Sequence, residues 1–305
     1  MGDDFILHHY DNSPFSEKVR LAFGLKGLAW RSVIQPTIMP KPDLIPLTGG
    51  YRRIPVLQIG ADIICDTQLI LAEIEARAPH PALGGGLGFA INWWADRLFF
   101  QSSVAIIFGE IGHLTPEAFI KDREQLSGQR FNIEAMKAAS GPMRGQWRAQ
   151  AAWIEAELAA SGADWLGGAA PNLADVAAYM NPWFVENALP SALPKLLADF
   201  DRTQAWQARV KAIGHGHRSE LTPAAALDIA RAAEPGEAVV HDGDDPLGLE
   251  PGAAAFVMAD DYGRDRIEGV LVAANAERIV LAREDRTVGL THLHVPRTGY
   301  FAGPA

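Results

Sequence analysis

Three short stretches of this chain carry residue types suited to an anionic or peptide-like ligand. The first is Asn12-Ser13-Pro14-Phe15-Ser16-Glu17-Lys18-Val19-Arg20, which follows the apolar run Phe5–Tyr10. A capping-type residue followed by proline marks a helix entrance directly after a strand. A hydroxyl at Ser13 would stand among unpaired N–H groups at the positive end of the helix dipole, where an anion such as a thiolate is favoured. The second stretch is Arg53-Ile54-Pro55. Proline cannot donate to a strand ladder, and a cis bond here would turn the main chain of Ile54 outward to pair with an extended peptide ligand. The third is Cys65-Asp66-Thr67-Gln68, which opens a helix after a hairpin. Its carboxylate, hydroxyl and free N–H groups suit the charged amino-acid end of a ligand. Each stretch also has a plain structural reading: a helix cap for Ser13 or Asn12, an edge-strand proline, and an N-cap. Tyr10 and Ser16 lie close to Ser13 as substitute donors.

The elements around these residues alternate. Strand signals at Phe5–Tyr10, Trp30–Ile34, Ile54–Ile59 and Ile63–Cys65 are interleaved with helices from Pro14 to about Gly27 and from Thr67 to Ala78. That order predicts a mixed sheet with helices packed on it. After a linker by composition, Pro79 to Gly86, helix formers dominate. Helices are expected at Ile91–Gly109, Pro116–Leu126, Ile133–Ser161, Leu173–Asn187 and Gln204–Ile213. A further helix, Leu221–Ala233, leads to short β-rich runs at Ala253–Ala259, Ile267–Ala274, Arg278–Ala282 and Leu290–Val295, the pattern of a small barrel or sandwich. The domains expected are residues 1–79, 88–218 and 220–305.

Together the three stretches resemble the glutathione-binding domain of glutathione transferases. Ser13-Pro14-Phe15-Ser16-Glu17-Lys18-Val19-Arg20 is similar to the first active-site helix of the zeta and omega-like classes, and Arg52-Arg53-Ile54-Pro55-Val56-Leu57 to the cis-proline strand. Asp66-Thr67 resembles the acid-plus-hydroxyl pair, more often Glu-Ser, that binds the γ-glutamyl end of glutathione. Pro171-Asn172-Leu173-Ala174-Asp175-Val176 is similar to the family's buried N-capping box, with Asn172 capping a helix and Asp175 reaching back. The resemblance implies a multidomain α/β + α fold: a thioredoxin-like N-terminal domain and an all-helical transferase domain. A small β-barrel-like domain is added to these at the C-terminus.

The function implied is a glutathione transferase that readies the glutathione thiolate for attack on a small electrophilic substrate. Ser13 would donate to the thiolate, and Ile54 would pair its backbone with the cysteinyl part. Asp66 and Thr67 would grip the γ-glutamyl end, with Arg53 near the glycyl carboxylate. Glutathione is the co-substrate, and a homodimer is the family habit. The alternative is a non-catalytic scaffold that uses the added β domain to hold a protein partner, since fold does not dictate function.

Composition bounds these readings. Apolar residues make up 48% of 305 and charged residues 21%, as in globular protein, and no apolar run reaches membrane-span length. Cys65 is the single cysteine, so an intrachain disulfide is excluded and a reducing, cytoplasmic setting is expected. The net charge is −10, and from Glu220 onward seven Arg and no Lys stand against fifteen Asp and Glu. Such a tail repels phosphate backbones, so nucleic acid is not an expected partner. His292 and His294 would share one strand face, and His215 and His217 lie close together. No carboxylate or third histidine is clearly placed beside either pair, so structural histidines are expected and no metal.

Overall fold

A computed structural model describes residues 4–236 and 239–305. The N-terminal part runs β1 (Phe5–His9), α1 (Pro14–Leu25), β2 (Ala29–Ile34), α2 (Ile45–Thr48), β3 (Val56–Ile59), β4 (Asp62–Cys65) and α3 (Thr67–Arg77). β1 pairs parallel with β2 and antiparallel with β3, and β3 pairs antiparallel with β4. This is the thioredoxin-like arrangement expected. Every residue of β1, β3 and β4 is buried, because both sheet faces are covered.

The helical part comprises α4 (Leu87–Trp94), α5 (Phe100–Ile111), α6 (Glu117–Ser127), α7 (Ile133–Ser161), α8 (Leu173–Ala188), α9 (Leu193–Leu196) and α10 (Asp201–Ala212). A π-turn over Ala95–Phe99 joins α4 to α5. α8 begins with the expected capping box: the Asn172 side chain accepts from Ala174 N at 2.8 Å, and Asp175 Oδ2 accepts from Asn172 N at 2.9 Å. Asp175 also receives Leu166 N and the Trp206 indole N–H, at 2.8 and 2.7 Å. One buried carboxylate thus collects donors from the helix start, a loop and α10.

The C-terminal part adds β5 (His217–Glu220), α11 (Pro223–Ala232), β6 (Ala254–Ala259), β7 (Ile267–Ala274), β8 (Arg278–Asp285), β9 (Gly289–Pro296) and β10 (Tyr300–Pro304). It is β-rich, as expected. Its strands do not form a small barrel of their own, however. They continue the N-terminal sheet, giving ten strands in the order β10-β6-β7-β8-β9-β4-β3-β1-β2-β5. The joint is a parallel pairing of β4 with β9. Parallel neighbours need a long crossover, and the whole helical part supplies it. One apolar cluster therefore mixes Leu44, Leu47, Val56, Ile63 and Cys65 with Val257, Ile279, Leu281, Leu293 and Val295. β5, which straddles the expected domain boundary at 218–220 and is not among the expected strands, extends the opposite edge by pairing with β2.

Candidate functional site

The five residues singled out in the sequence do not all meet. Arg53, Ile54, Asp66 and Thr67 line one cavity, together with Phe15, Pro55, Trp93 and Arg97. Ser13 is not among its lining residues. It caps α1, its Oγ accepting from Ser16 N at 3.1 Å, and it is 1% exposed. Accepting that bond uses only an oxygen lone pair, and the Tyr10 phenol lies beside the Ser13 hydroxyl as a hydrogen-bond partner. Ser16 Oγ is also buried, with no partner among the described residues.

The cis-proline expectation holds: the Ile54–Pro55 bond is cis. Among the described residues neither the N–H nor the C=O of Ile54 has a hydrogen-bond partner. The acid-hydroxyl pair sits where β4 turns into α3. Asp66 takes φ 73° and caps the helix, accepting from Gln68 N at 3.0 Å. Thr67 Oγ1 accepts from Lys18 Nζ at 2.8 Å. That ammonium is 0% exposed and also donates to Asn92 Oδ1 and Asp96 Oδ1, at 2.8 and 2.5 Å. Lys18 thus spends all three protons on protein partners and ties α1 to α3 and α4. Asp66 keeps a free lone pair for an ammonium, while Thr67 and the start of α3 offer donors to a carboxylate.

The C-terminal extension also reaches this cavity, which sequence reasoning missed. The loop after β6 brings Asp261 and Tyr262 into the lining. Asp261 accepts from Arg53, the Arg53 guanidinium stacks on Tyr262 with its carbon 4.1 Å from the ring centre, and Arg97 Nη1 lies 3.3 Å from Asp261. Asp260 accepts from Arg97 Nη2 at 2.8 Å. Gly263 fixes the loop against the helical part: its N–H donates to Leu126 O. It takes φ +59°, where other residues are strained, and a Cβ there would stand 2.9 Å from the Leu126 side chain and 3.0 Å from that of Arg53, which would have to give way. From the start of β10, Tyr300 donates to Asp66 Oδ2 at 3.2 Å and lies 3.3 Å from the Tyr51 hydroxyl. Burial pushes the Tyr262 phenol up to about 12, and holds Tyr51 and Tyr300 well above the usual tyrosine range. All three remain donors at neutral pH.

With these groups in place the cavity holds about 50 Å³, room for a few waters at roughly 10–15 Å³ each. A separate apolar cleft of about 650 Å³, lined by Leu83, Leu87, Ile91, Trp94 and Trp153, shares no residue with it. Among the aromatic residues of the helical part, Trp93 lines the small cavity, whereas Phe99 and Trp147 are fully buried core.

Comparison with known proteins agrees with this fold. Residues 7–82 match the family described as the glutathione S-transferase N-terminal domain, and residues 102–218 a domain of unknown function, DUF7962. A GST-like protein of known structure from Pseudomonas syringae is 35% identical, with a TM-score of 0.81, over 98% of this chain and 99% of its own. The chain belongs to the glutathione S-transferase family. The family's plant member glutathione S-transferase U4 of Arabidopsis thaliana is 30% identical over 73 residues, 24% of this chain and a third (33%) of that relative's length. The structure of FzlA from C. crescentus is 25% identical with a TM-score of 0.52, and the match covers 79% of this chain and 98% of that one. The Pseudomonas protein matches this transferase-family chain over nearly its full length, extension included. Among the described residues no helix is long and apolar enough to cross a membrane.

Proposed function

We propose that the protein binds glutathione in the cleft beside the cis-proline and activates its thiol for transfer to a small electrophilic organic compound. The observation that carries this is the convergence of Arg53, Ile54, Asp66 and Thr67 on one cavity, with the main chain of Ile54 unpaired among the described residues. Asp66 takes the γ-glutamyl ammonium, Thr67 and the first turn of α3 take its carboxylate, and Ile54 pairs with the cysteinyl peptide. Ser13, which stands behind the lining beside Tyr10, turns its hydroxyl proton to the sulfur. An unperturbed thiol titrates near 8.5, and one hydrogen bond to a charged acceptor is worth ~1.5–3 kcal/mol, enough to lower that value by one to two units. Arg53 faces the glycyl carboxylate once Asp261 releases it.

A second reading, a scaffold of transferase fold that holds a protein partner, is favoured by one feature: Asp261 and Tyr262 of the extension line the small cleft, where Asp261 already occupies Arg53, and Tyr300 already occupies Asp66. Calorimetry separates the two. Under the first reading glutathione binds in the micromolar to low-millimolar range and Asp66→Ala abolishes the binding. No heat at tens of millimolar glutathione would reject the first reading and leave the second.

A further inference from the structure

We propose that Asp62, His292 and His294 form a binding site for a divalent transition-metal ion of the zinc class, on the seam where the C-terminal strands join the N-terminal sheet. The two histidines lack a third ligand in the sequence, and the fold supplies it. The β4–β9 register sets Asp62 beside His292 and Ile64 beside His294. Alternate strand residues share a face, so the carboxylate and both imidazoles stand on the same side. Asp62 Oδ1 is 2.9 Å from His294 Nε2 and 3.9 Å from His292 Nδ1, and all three donor atoms lie within 4.8 Å of one another. Bonds of about 2.0–2.2 Å in a tetrahedral shell place neighbouring donors about 3.4 Å apart. The observed spacings straddle that value, and side-chain rotation closes the difference.

The surroundings fit the same purpose. Gly236 N–H donates to Asp62 Oδ2 at 2.6 Å, which holds the carboxylate with Oδ1 turned toward the histidines, as outer partners of metal ligands do. His294 Nδ1 has no partner among the described residues, so the contact with Asp62 is the one hydrogen bond that orients its ring. The Asp62 and His292 side chains keep 12% and 14% of their surface accessible, an opening for an ion with its remaining water. Two imidazoles and one carboxylate are donors of intermediate softness, suited to zinc, cobalt or nickel rather than to magnesium or calcium. Cys65 lies on β4 but points to the other face, so thiolate ligation plays no part.

A simple strand-to-strand tie would account for His294 and Asp62. It gives no role to His292, whose ring nitrogen is too far from Asp62 for a hydrogen bond, yet that residue completes the set of three. The experiment follows from this difference. The full-length chain, stripped with chelator, is titrated with Zn²⁺ by calorimetry and with Co²⁺ by visible absorption, beside His292→Ala, Asp62→Asn and His217→Ala. Folding of each variant is checked by circular dichroism. Asp62→Asn can still accept the Gly236 N–H, and His292→Ala leaves the tie intact. We expect one ion per chain in the parent and in His217→Ala, with cobalt bands typical of low coordination, and loss of both signals in the other two. Should Asp62→Asn fail to fold, His292→Ala decides alone. The site is refuted if the parent takes up no ion, or if His292→Ala binds with the same stoichiometry and affinity as the parent.

Discussion

Replacing Asp261 by Asn should make this protein bind glutathione more tightly, although the residue is no part of the expected binding set. Asp261 holds Arg53 where both side chains are largely buried, 18% and 13% exposed, and it also meets Arg97. A ligand carboxylate that approaches Arg53 must displace it. A hydrogen bond to a charged partner is worth ~1.5–3 kcal/mol. The Asn oxygen still accepts from Arg53, so the gain should fall near the lower end, about 1.5 kcal/mol, or roughly tenfold in affinity. Arg97 keeps Asp260 in the variant, so the loop stays docked. The assay is calorimetry with glutathione and with its glycyl ethyl ester, which lacks the competing charge. Glutathione should gain tenfold and the ester little. Equal affinities for glutathione in parent and variant would refute the idea that Asp261 stands in for a ligand carboxylate.

Four further outcomes are expected. Ser13→Ala should lower turnover of a model electrophile about ten- to a hundredfold, the worth of one hydrogen bond to a thiolate. Glutathione affinity should change little, and stability should fall by the ~1 kcal/mol of a lost cap, seen as a lower melting temperature; unchanged turnover would remove Ser13 from the chemistry. His8 and His9 are held neutral, pushed down to about 4 and about 3 by burial, with Arg20 and Arg218 adding to the effect at His9. Below pH 6.5 the unfolded chain takes protons that the folded chain refuses, so stability should fall as pH drops from 6.5 toward 4, by up to ~1.4 kcal/mol per pH unit for each histidine. Thermal melts from pH 7 to 5 test this, and a His8→Gln slope equal to the parent's would contradict it. Asp175→Ala strands three donors at ~1–3 kcal/mol each and should cost at least about 3 kcal/mol by denaturant melt; a loss under 1 would show that the box is dispensable. A chain ending at Ala253 should be insoluble, since it uncovers the β4 edge and half of a shared apolar cluster; a cooperative melt from that truncation would overturn the shared-core description.

What could be read in the sequence was local. Ser13-Pro14 opens α1, Asn172 and Asp175 box the start of α8, and α7 covers Ile133–Ser161 as its run of helix formers predicts. In each case the signal and the structure it dictates lie within a turn or two of chain. The misses all depend on distant pairing. Nothing near Arg53 announces Asp261, 208 residues away, and nothing near Asp66 announces Tyr300. The β-rich runs after Ala253 look alike whether they close on one another or on β4, because alternation reveals a strand and not its neighbour. The histidine pair seemed to lack a third ligand because Asp62 comes within reach only through that register.

The join between β4 and β9 also sets an order of events at the ribosome. β4 leaves the exit tunnel with its neighbour β3 and two further strands of the sheet, β1 and β2, already made, but the strand that covers its outer edge arrives late: His294 is 232 residues beyond Asp62. Throughout synthesis of the helical part the nascent chain carries an open parallel edge of apolar residues, the kind of surface that captures stray strands. β9 thus seals an edge made more than two hundred residues before it, and a chain released before β9 is left with that edge open.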